Sequence, residues 1–417
     1  MAITSLYIKN FRGIKNPSTI PIKPITLFIG PNSSGKSSCL HSLACLSQTL
    51  KIPNNSRALS PDDEYAHVHL GRFIEVIHSK SYSDCIGLGI SIDPIRYREP
   101  SSDRRRLTFK QGLGEARYEF KSTKRTQDIY LHTAYLKVGD YEFEVTKIAT
   151  GYRVLHKASR RVTKFTLKNG FIFDESSGFS FGSAEEFANF IPFNNLQRAI
   201  QKELLNTLYL GPFRQPPARR YATRGSSPIE VGAQGESAVT LLANEIIQSK
   251  SRTHIRQIAG WLHSCGLANG LEVRRLARSD MFDVSLRLAD GSEFPLADLG
   301  YGVSQVLPVF AQCSFAPEGS TLLFEQPELH LHPLAARPLA NVFIETAKTK
   351  RCRILAETHS EVFFGEFIRQ IRAGNFSLDD FVAYRVLRKD GCTHLHPIEI
   401  DPETFDIYEM WHSGFSQ

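Results

Sequence analysis

The chain has 417 residues, of which 41% are hydrophobic and 22% charged, and this balance excludes collagen-like, low-complexity and wholly disordered chains. Its length corresponds to two or three folding units of the usual size of about 100–200 residues. The formal net charge of +7 is by itself too small to indicate a nucleic-acid partner.

The positive charge is concentrated in the middle of the chain. Residues 96–224 contain 24 basic and 13 acidic residues, whereas the remainder contains 26 basic and 30 acidic residues. Two groups in this segment, Arg104–Arg106 and Lys121–Arg125, suit nucleic-acid phosphates, but they also suit a solvated face of strands and loops. Both interpretations stay open at this point.

The cysteines and the apolar runs indicate the cellular compartment in which the protein is expected to occur. Seven scattered cysteines without a CxxC pair predict a reduced, cytoplasmic protein with neither a disulfide framework nor a structural zinc site. The sequence shows no export signal and no uncharged apolar run of about 18 residues, so we expect no membrane association.

The first half of the chain predicts strands, one glycine loop and a few helices. Apolar runs at 3–8 and 25–29 predict buried strands, and the second leads through a glycine loop into a helix. From about 72 to 175, alternating runs predict antiparallel strands. They include 85–92, 141–148 and 163–173, with a hairpin at Lys168-Asn169-Gly170.

The second half alternates strands with helices. Helices are predicted at 184–206, 235–249, 252–265, 303–313, 335–348 and 360–372. Strands are predicted at 207–212, 321–325, 352–357, 381–387 and 393–400, with a loop at 213–228 and a hairpin at 281–296. This order indicates an α/β sheet covered by helices, and the lack of heptads predicts no long coiled coil.

Residues 30–37, GPNSSGKS, match the phosphate-loop pattern GxxxxGK[ST] in full. Glycines there let backbone N–H groups surround phosphates at a helix N-terminus. The pattern predicts that Lys36 reaches the β- and γ-phosphates and that Ser37 binds Mg²⁺. The other predicted nucleotide contacts are Gly30, Asn32, Ser33, Ser34, Gly35 and Ser38.

A phosphate loop also needs an acidic residue at a strand end to hold the metal. The run TLLFE ends in Glu325 and is followed by Gln326 and Glu328, while His359 stands just beyond the strand at 352–357. Residues 298–305, DLGYGVSQ, precede a helix and predict a second helix N-terminus that faces phosphate.

These segments together resemble the ABC/SMC-like ATPases of the OLD and RecF group, most closely the AAA15 branch with a DUF3696 tail. The resemblance covers roughly 1–75 and 207–417, including YLGPFRQPPARR at 209–220 and the tail at 398–415. It implies an α/β, P-loop ABC-type ATPase head with a mixed sheet, interrupted by a β-rich insertion. The implied segments are an N-terminal lobe at 1–72, a basic insertion at 73–206, a C-terminal lobe at 207–380 and a tail at 381–417.

The resemblance also implies a nucleotide site shared by two subunits, in a dimer or a higher even-numbered oligomer. Lys36, Ser37 and Glu325 would hold ATP and Mg²⁺ in one subunit. His359 would contact the γ-phosphate, and Arg12 would approach the phosphates. The other subunit would contribute the ABC signature residues Gly300, Gly302 and Ser304.

Two departures from that family stand out. Gly300 occupies the place of the signature serine, and Gln326 occupies the place of the general-base glutamate. Because an amide cannot accept a proton as a carboxylate does, either Glu328 or His359 substitutes or hydrolysis is slow. We favour slow hydrolysis, with ATP acting mainly as a dimer clamp.

The resemblance implies a regulator of a separate effector, as in Septu- or PARIS-type anti-phage systems, with an HNH or TOPRIM-like nuclease encoded nearby. We expect the chain to be too short for a TOPRIM domain of its own. The alternative is a RecF-like DNA-binding ATPase in repair or recombination, which the basic segment 96–224 favours. A transporter ATPase suits the β-rich insertion less well.

Two smaller features have competing interpretations. His330-Leu331-His332 suits a metal site, but a dimer-contacting loop of the ATPase is the better interpretation because no further ligands stand at zinc spacing. The arginines of the Pro-rich loop suit a structural or nucleotide-adjacent role as well as DNA contact. They are Arg214, Arg219, Arg220 and Arg224.

Overall fold

The computed structural model describes residues 1–53, 57–100, 107–149, 151–165, 167, 170–173, 184–222, 228–248, 252–276, 280–404 and 406–407. They fall into two compact units. Unit 1 comprises Met1–Ile22, Asn32–Thr207 and Leu387–His394. Unit 2 comprises Lys23–Pro31, Leu208–Val386 and the residues from Leu395 onward. The four-segment division from the sequence remains a prediction.

Strands and helices are numbered along the chain. The strands are β1 Ala2–Lys9, β2 Ser18–Pro21, β3 Ile25–Ile29, β4 Ile86–Pro100, β5 Leu107–Ser122, β6 Ile129–Val138, β7 Tyr141–Ile148, β8 Gly151–His156, β9 Arg161–Phe165, β10 Thr207–Leu210, β11 Tyr221–Ala222, β12 Gly270–Arg275, β13 Met281–Arg287, β14 Glu293–Pro295, β15 Thr321–Glu325, β16 Arg353–Thr358, β17 Phe381–Lys389 and β18 Cys392–Pro397. The helices are α1 Lys36–Lys51, α2 Phe73–Val76, α3 Ala184–Leu205, α4 Ala238–Gln248, α5 Thr253–Ser264, α6 Tyr301–Phe315, α7 Pro333–Lys350 and α8 Glu361–Arg372.

Unit 1 contains an eight-stranded antiparallel sheet in the order β2-β1-β4-β5-β6-β7-β8-β9. Alternate residues of β6 are buried, as expected for a sheet with one covered face. Helix α3 packs on β4, β6 and β7 and also contacts α1. The largest fully buried side chains of this core are Phe11, Tyr118, Phe120, Phe143, Phe171, Phe190 and Phe193. The strands predicted as an insertion therefore continue a sheet that begins with β1 and β2.

The strand predicted at 163–173 is wrong in its second half. Strand β9 ends at Phe165, and among the described residues 170–173, residues 170–171 form a turn in which Gly170 has φ of 57°, followed by a single bridge residue, Ile172. Phe171, Ile172 and Phe173 are all buried: the Phe171 ring packs 4.6 Å from Tyr118 of β5, and the Phe173 ring packs 5.7 Å from Tyr152 of β8. Of the predicted hairpin, Lys168 and Asn169 lie outside the described residues.

Unit 2 is built on a six-stranded sheet in the order β10-β15-β16-β3-β17-β18, the last two strands running on into residues of unit 1. The pairs β15–β16, β16–β3 and β3–β17 are parallel, and every residue of β3 and β15 is buried. Such continuous apolar strands are typical of a sheet covered on both faces. A second, smaller sheet in the order β11-β13-β12, with β14 on β13, completes the unit.

The register of the parallel strands places several candidate residues at one edge. Glu325 lies opposite Glu357, and Thr358 lies opposite Ile29. The carboxyl ends of β15, β16 and β3 therefore meet at the same edge, which is where ligands bind in open α/β sheets. Gly30, the first residue of the phosphate loop, follows directly from this edge.

The fold class is as predicted: a mixed α/β ATPase-type head in which each strand and helix predicted in the second half occurs within a few residues of its expected place. Two strands were not predicted: β11, of two residues, within the predicted loop at 213–228, and β12, Gly270–Arg275, between the predicted helix at 252–265 and the hairpin at 281–296. The longest described helix, α3, has 22 residues, and no coiled-coil arm occurs in the described parts of the chain. No described helix has the length and apolarity that a membrane span requires.

Candidate functional site

The phosphate loop has the backbone shape that its glycines predict. Gly35, at the N-terminus of α1, has φ of 101°, in the left-handed region that glycine enters without strain. Ser33 also has a positive φ, of 61°. No side chain caps α1, so the N-terminus of this helix is suited to an anion.

Unit 1 contains a cavity of about 580 Å³ beside this loop. Its lining carries four cationic side chains and one carboxylate, so its charge suits a polyphosphate. The residues that line it are Arg12, Gly13, Ser33, Gly35, Lys36, Ser37, Ser38, Glu75, His78, Lys80, Arg388, Gly391 and Thr393. The structure thus brings predicted site residues from the N-terminal turn and the phosphate loop to one cavity. Asn32 and Ser34 do not line it, and Gly30 belongs to unit 2.

Arg12 reaches the cavity from a tight turn after β1. Its φ is 49°, and its backbone N–H donates to Val76 O at 2.7 Å. The guanidinium contacts the His41 ring, and His78 Nδ1 hydrogen-bonds Arg12 O at 2.8 Å. These contacts anchor the turn that carries Arg12 at the cavity.

In unit 2, Glu325 stands at the end of β15 in a buried polar network. Tyr209 donates its hydroxyl to Glu325 Oε1 at 2.5 Å. Arg214 donates through Nη2 to the backbone oxygens of Glu325 and Gln326, both at 3.0 Å. Burial lowers the pKa of Arg214 to about 10, partly countered by Glu328 and Glu325, so the side chain remains charged at neutral pH.

Gln326 and Glu328, the first and third residues after β15, differ in their contacts. Gln326 has φ of 45°, and its N–H donates to Glu357 O at 3.0 Å. Glu328 Oε1 accepts hydrogen bonds from Thr358 Oγ1 at 2.5 Å and from His359 N at 3.3 Å, while Oε2 has no hydrogen-bond partner in the described structure. Burial raises the pKa of Glu328. One oxygen of Glu328 therefore fixes the backbone that carries His359.

The signature segment begins helix α6, with Gly300 at its N-cap and no capping side chain. A Cβ on Gly302 would lie 2.9 Å from His330 O, so the position needs glycine. Ser304 is buried, and its hydroxyl donates to Tyr301 O at 2.9 Å. Gly300 and Gly302 are thus available at the helix start, whereas the Ser304 hydroxyl is engaged within the helix.

His330 and His332 have structural contacts in unit 2. His332 caps α7, because its Nδ1 accepts from Leu334 N at 3.3 Å. The His330 ring lies 6.0 Å from the Tyr301 ring. No group of three or more metal-ligating side chains occurs within the described ranges.

Several basic side chains on the eight-stranded sheet, or directly beside it, are paired with carboxylates of the same sheet. The pairs are Lys9–Glu119 at 2.6 Å, Lys110–Glu99 at 2.7 Å, Arg117–Glu115, Lys137–Glu142 at 3.0 Å and Lys157–Glu144 at 2.8 Å. Arg104–Arg106 and Arg224 lie outside the described residues. Arg219 pairs with Asp298 at 2.5 Å in unit 2. These pairs reduce the charge that the sheet can offer to nucleic acid.

The cavity lining also contains residues that the sequence did not predict as site residues, namely Gly13, Glu75, His78, Lys80, Arg388, Gly391 and Thr393. Thr393 and Arg388 line the unit 1 cavity, and Tyr209 binds the Glu325 carboxylate. Each is far along the chain from its partner and carries no motif. Tyr209 lies within the strand predicted at 207–212 and Thr393 begins the strand predicted at 393–400, but a position in a strand does not by itself indicate a site.

Comparisons with known proteins agree with these features. A sequence model described as AAA ATPase domain matches residues 1–206. An AAA domain model whose description names the AbiEii toxin of a type IV TA system matches residues 275–364. The OLD nuclease of Thermus scotoductus is 30% identical over 99 residues, which is 23% of this chain and 16% of that protein. The chain thus spans about a sixth of the length of this relative.

Three solved structures align with nearly the whole chain at 11% identity. The alignment with the SMC head domain from Thermotoga maritima has a TM-score of 0.40 and covers 96% of this chain and 100% of that chain. An SmcHead bound to the C-winged helix domain of ScpA gives 0.45, covering 96% of this chain and 98% of that chain. A Pyrococcus furiosus-derived Smc head domain with an extended coiled coil, bound to the C-terminal domain of ScpA, gives 0.42, covering 95% and 96%.

Proposed function

Because the chain is an ATPase of the ABC/SMC-like OLD family, we propose that it binds ATP and Mg²⁺ between two copies and hydrolyses ATP slowly. We propose that it thereby controls a separate effector nuclease in bacterial anti-phage defence, and that it does so in the cytoplasm. The observation that carries the nucleotide site is the cationic cavity around the phosphate loop. The α1 N-terminus and the buried Lys36 in its wall fit a polyphosphate.

Mg²⁺ fits the oxygen donors that the proposal assigns to it. Ser37 and Glu325 would hold it, and it would neutralise charge on the β- and γ-phosphates. Tyr209 and Arg214 orient the Glu325 segment through the hydrogen bonds described above. Lys36 would bind the phosphates directly, and His359 would contact the γ-phosphate, as the resemblance implies.

Slow hydrolysis follows from the residues after β15. Gln326 cannot take a proton from water, and Glu328 is engaged with Thr358 and the His359 backbone. We expect the Gln326→Glu variant to hydrolyse ATP at least about tenfold faster than wild type, since general-base catalysis contributes ~10²–10⁴-fold. Equal hydrolysis rates in wild type and Gln326→Glu, with no activity in Lys36→Ala, would contradict slow hydrolysis but would leave the ATPase assignment intact.

Association through the nucleotide is supported by exposed apolar side chains at two helix starts in unit 2. Tyr301, beside the signature glycines, is 63% exposed, and Leu334, at the start of α7, is 67% exposed. Association of two copies would bury these side chains and remove their apolar surface from water. Sedimentation with Mg²⁺ and ATP should show an even-numbered oligomer for wild type and a smaller species for Tyr301→Asp. Phe294→Asp on β14, also exposed, is the matched control that should assemble normally.

Effector control is tested with the protein encoded beside this gene. A tagged chain should retain a neighbouring nuclease, and Lys36→Ala should alter that complex or its cutting. The alternative, a RecF-like ATPase that binds DNA directly, is supported by the net charge of residues 96–224. Submicromolar, salt-sensitive DNA binding without any nuclease partner would favour that alternative.

A further inference from the structure

Thr393, in the hairpin between β17 and β18, holds two loops of unit 1 together. It is buried, and its N–H donates to Gly13 O at 2.7 Å. Its hydroxyl donates to Ser34 O, in the phosphate loop, at 2.9 Å. A Cβ placed on either Gly13 or Gly35 would overlap this hydroxyl. One side chain near the end of the chain therefore sets the space between the N-terminal turn and the phosphate loop.

The hydrogen bond to Ser34 O has a direct consequence for the loop. In a trans peptide the C=O of one residue and the N–H of the next point in opposite directions. Holding Ser34 O therefore also fixes the direction of the Gly35 N–H. Phosphate loops bind anions through such N–H groups, so the Thr393 hydroxyl acts on the part of the loop that would contact phosphate.

Arg388 reaches the same cavity from the same hairpin. It is exposed, lines the cavity, and forms no hydrogen bond or ion pair within the part of the chain that the structure describes. The adjacent Lys389 is also exposed but does not line the cavity. The hairpin turns at Gly391, which has φ of 74° and lies in the cavity wall. The Arg388 guanidinium is therefore a cation available to a ligand.

We infer that the β17–β18 hairpin is part of the nucleotide site, with Thr393 as a positioning residue of the phosphate loop and Arg388 as a contact for the phosphates of the ligand. This inference rests on the proposed nucleotide site. Both residues act through unit 1 alone, because Leu387–His394 and the loop from Asn32 onward belong to that unit.

The experiment is a titration with a fluorescent ATP analogue and Mg²⁺, using the full chain. Thr393→Val keeps the branched shape but removes the hydroxyl, whereas Thr393→Ser keeps the hydroxyl. The net value of one hydrogen bond predicts about fivefold to tenfold weaker binding for Thr393→Val and about twofold or less for Thr393→Ser. Thermal unfolding of both variants separates this effect from loss of fold.

Arg388 is tested against its neighbour on the strand. Arg388→Ala should weaken binding about tenfold and make it less salt-dependent, as loss of a charge-assisted contact predicts. Lys389→Ala should bind like wild type. Because Arg388 is exposed, its variant tests the inference even if Thr393→Val does not fold.

The outcomes separate the inference from the proposed function. If wild type and Lys36→Ala both fail to bind, the nucleotide site itself is wrong, and the inference falls with it. If wild type binds and Lys36→Ala does not, but Arg388→Ala binds like Lys389→Ala, the hairpin has no part in binding. Equal affinities of Thr393→Val and Thr393→Ser would likewise overturn the positioning role.

Discussion

Replacing Arg214 by methionine should destabilise unit 2 more than any surface change in the same loop. Arg214 is 5% exposed, and its Nη2 holds the backbone oxygens of Glu325 and Gln326. Methionine fills a similar volume, but it leaves both oxygens without this donor. It also leaves the buried Glu328 without the cation that lowers its pKa.

The magnitude follows from burial. Hydrogen bonds from a charged donor contribute ~1.5–3 kcal/mol each, so loss of both Arg214 bonds costs about 3–5 kcal/mol, the Gln326 oxygen being less buried than that of Glu325. Arg219, five residues along the loop, forms an ion pair with Asp298, but its side chain is 72% exposed. Exposed ion pairs of this kind contribute ~0–1 kcal/mol, so Arg219→Met is the matched control.

Thermal unfolding followed by fluorescence without nucleotide measures the difference. At ~2–4 °C per kcal/mol for a unit of this size, Arg214→Met should lower the Tm by about 6–20 °C. Arg219→Met should lower it by about 4 °C or less. If both variants unfold within about 2 °C of each other, the buried network does not stabilise the Glu325 segment as described.

Three further predictions concern protonation, packing and metal. Burial raises the pKa of Glu328, so its stability contribution is present at low pH and is lost as pH rises through the folded-state pKa. The Tm of Glu328→Gln minus the Tm of wild type should therefore increase as the pH rises from about 4 to about 8. A difference that stays constant over this range would contradict the prediction. Gly13→Ala should cost ~1–3 kcal/mol by overlap with Thr393, whereas Gly260→Ala, with no atom within 4 Å of the added methyl group, should cost nothing. EDTA should abolish hydrolysis in wild type, and Glu325→Gln should show little hydrolysis even with Mg²⁺; metal-independent turnover would refute the metal role of this carboxylate.

Local patterns account for what could be predicted from the sequence. The strand TLLFE occurs as Thr321–Glu325 because four consecutive apolar or β-branched residues ahead of Glu325 suit a buried parallel strand. The phosphate loop was recognisable because its chemistry lies in eight consecutive residues. By contrast, the strand predicted at 163–173 ends at Phe165, because Phe171 and Phe173 are buried by packing against Tyr118 of β5 and Tyr152 of β8 and not as part of a strand. A pattern of apolar residues indicates that side chains are buried, and only the folded chain shows which element covers them.

The residues that were missed share a different cause. Thr393 meets Ser34 across 359 positions of the sequence, and Tyr209 meets Glu325 across 116. A single threonine or tyrosine carries no spacing signal, so such contacts follow only from the tertiary structure. Glu328 as a substitute base stays a prediction: Thr358 holds one of its oxygens, and the other has no hydrogen-bond partner in the described structure.

The cavity of unit 1 is assembled from both ends of the chain. Its lining combines the turn at Arg12 and Gly13 with the phosphate loop and with the hairpin at Arg388 to Thr393. During synthesis the phosphate loop emerges more than 350 residues before the threonine that holds Ser34 O. Contacts of such sequence separation form late because closing the intervening chain costs entropy. A chain that ends before the hairpin would therefore retain the GPNSSGKS pattern but lack the side chain that fixes it, so motif content alone does not make this site competent.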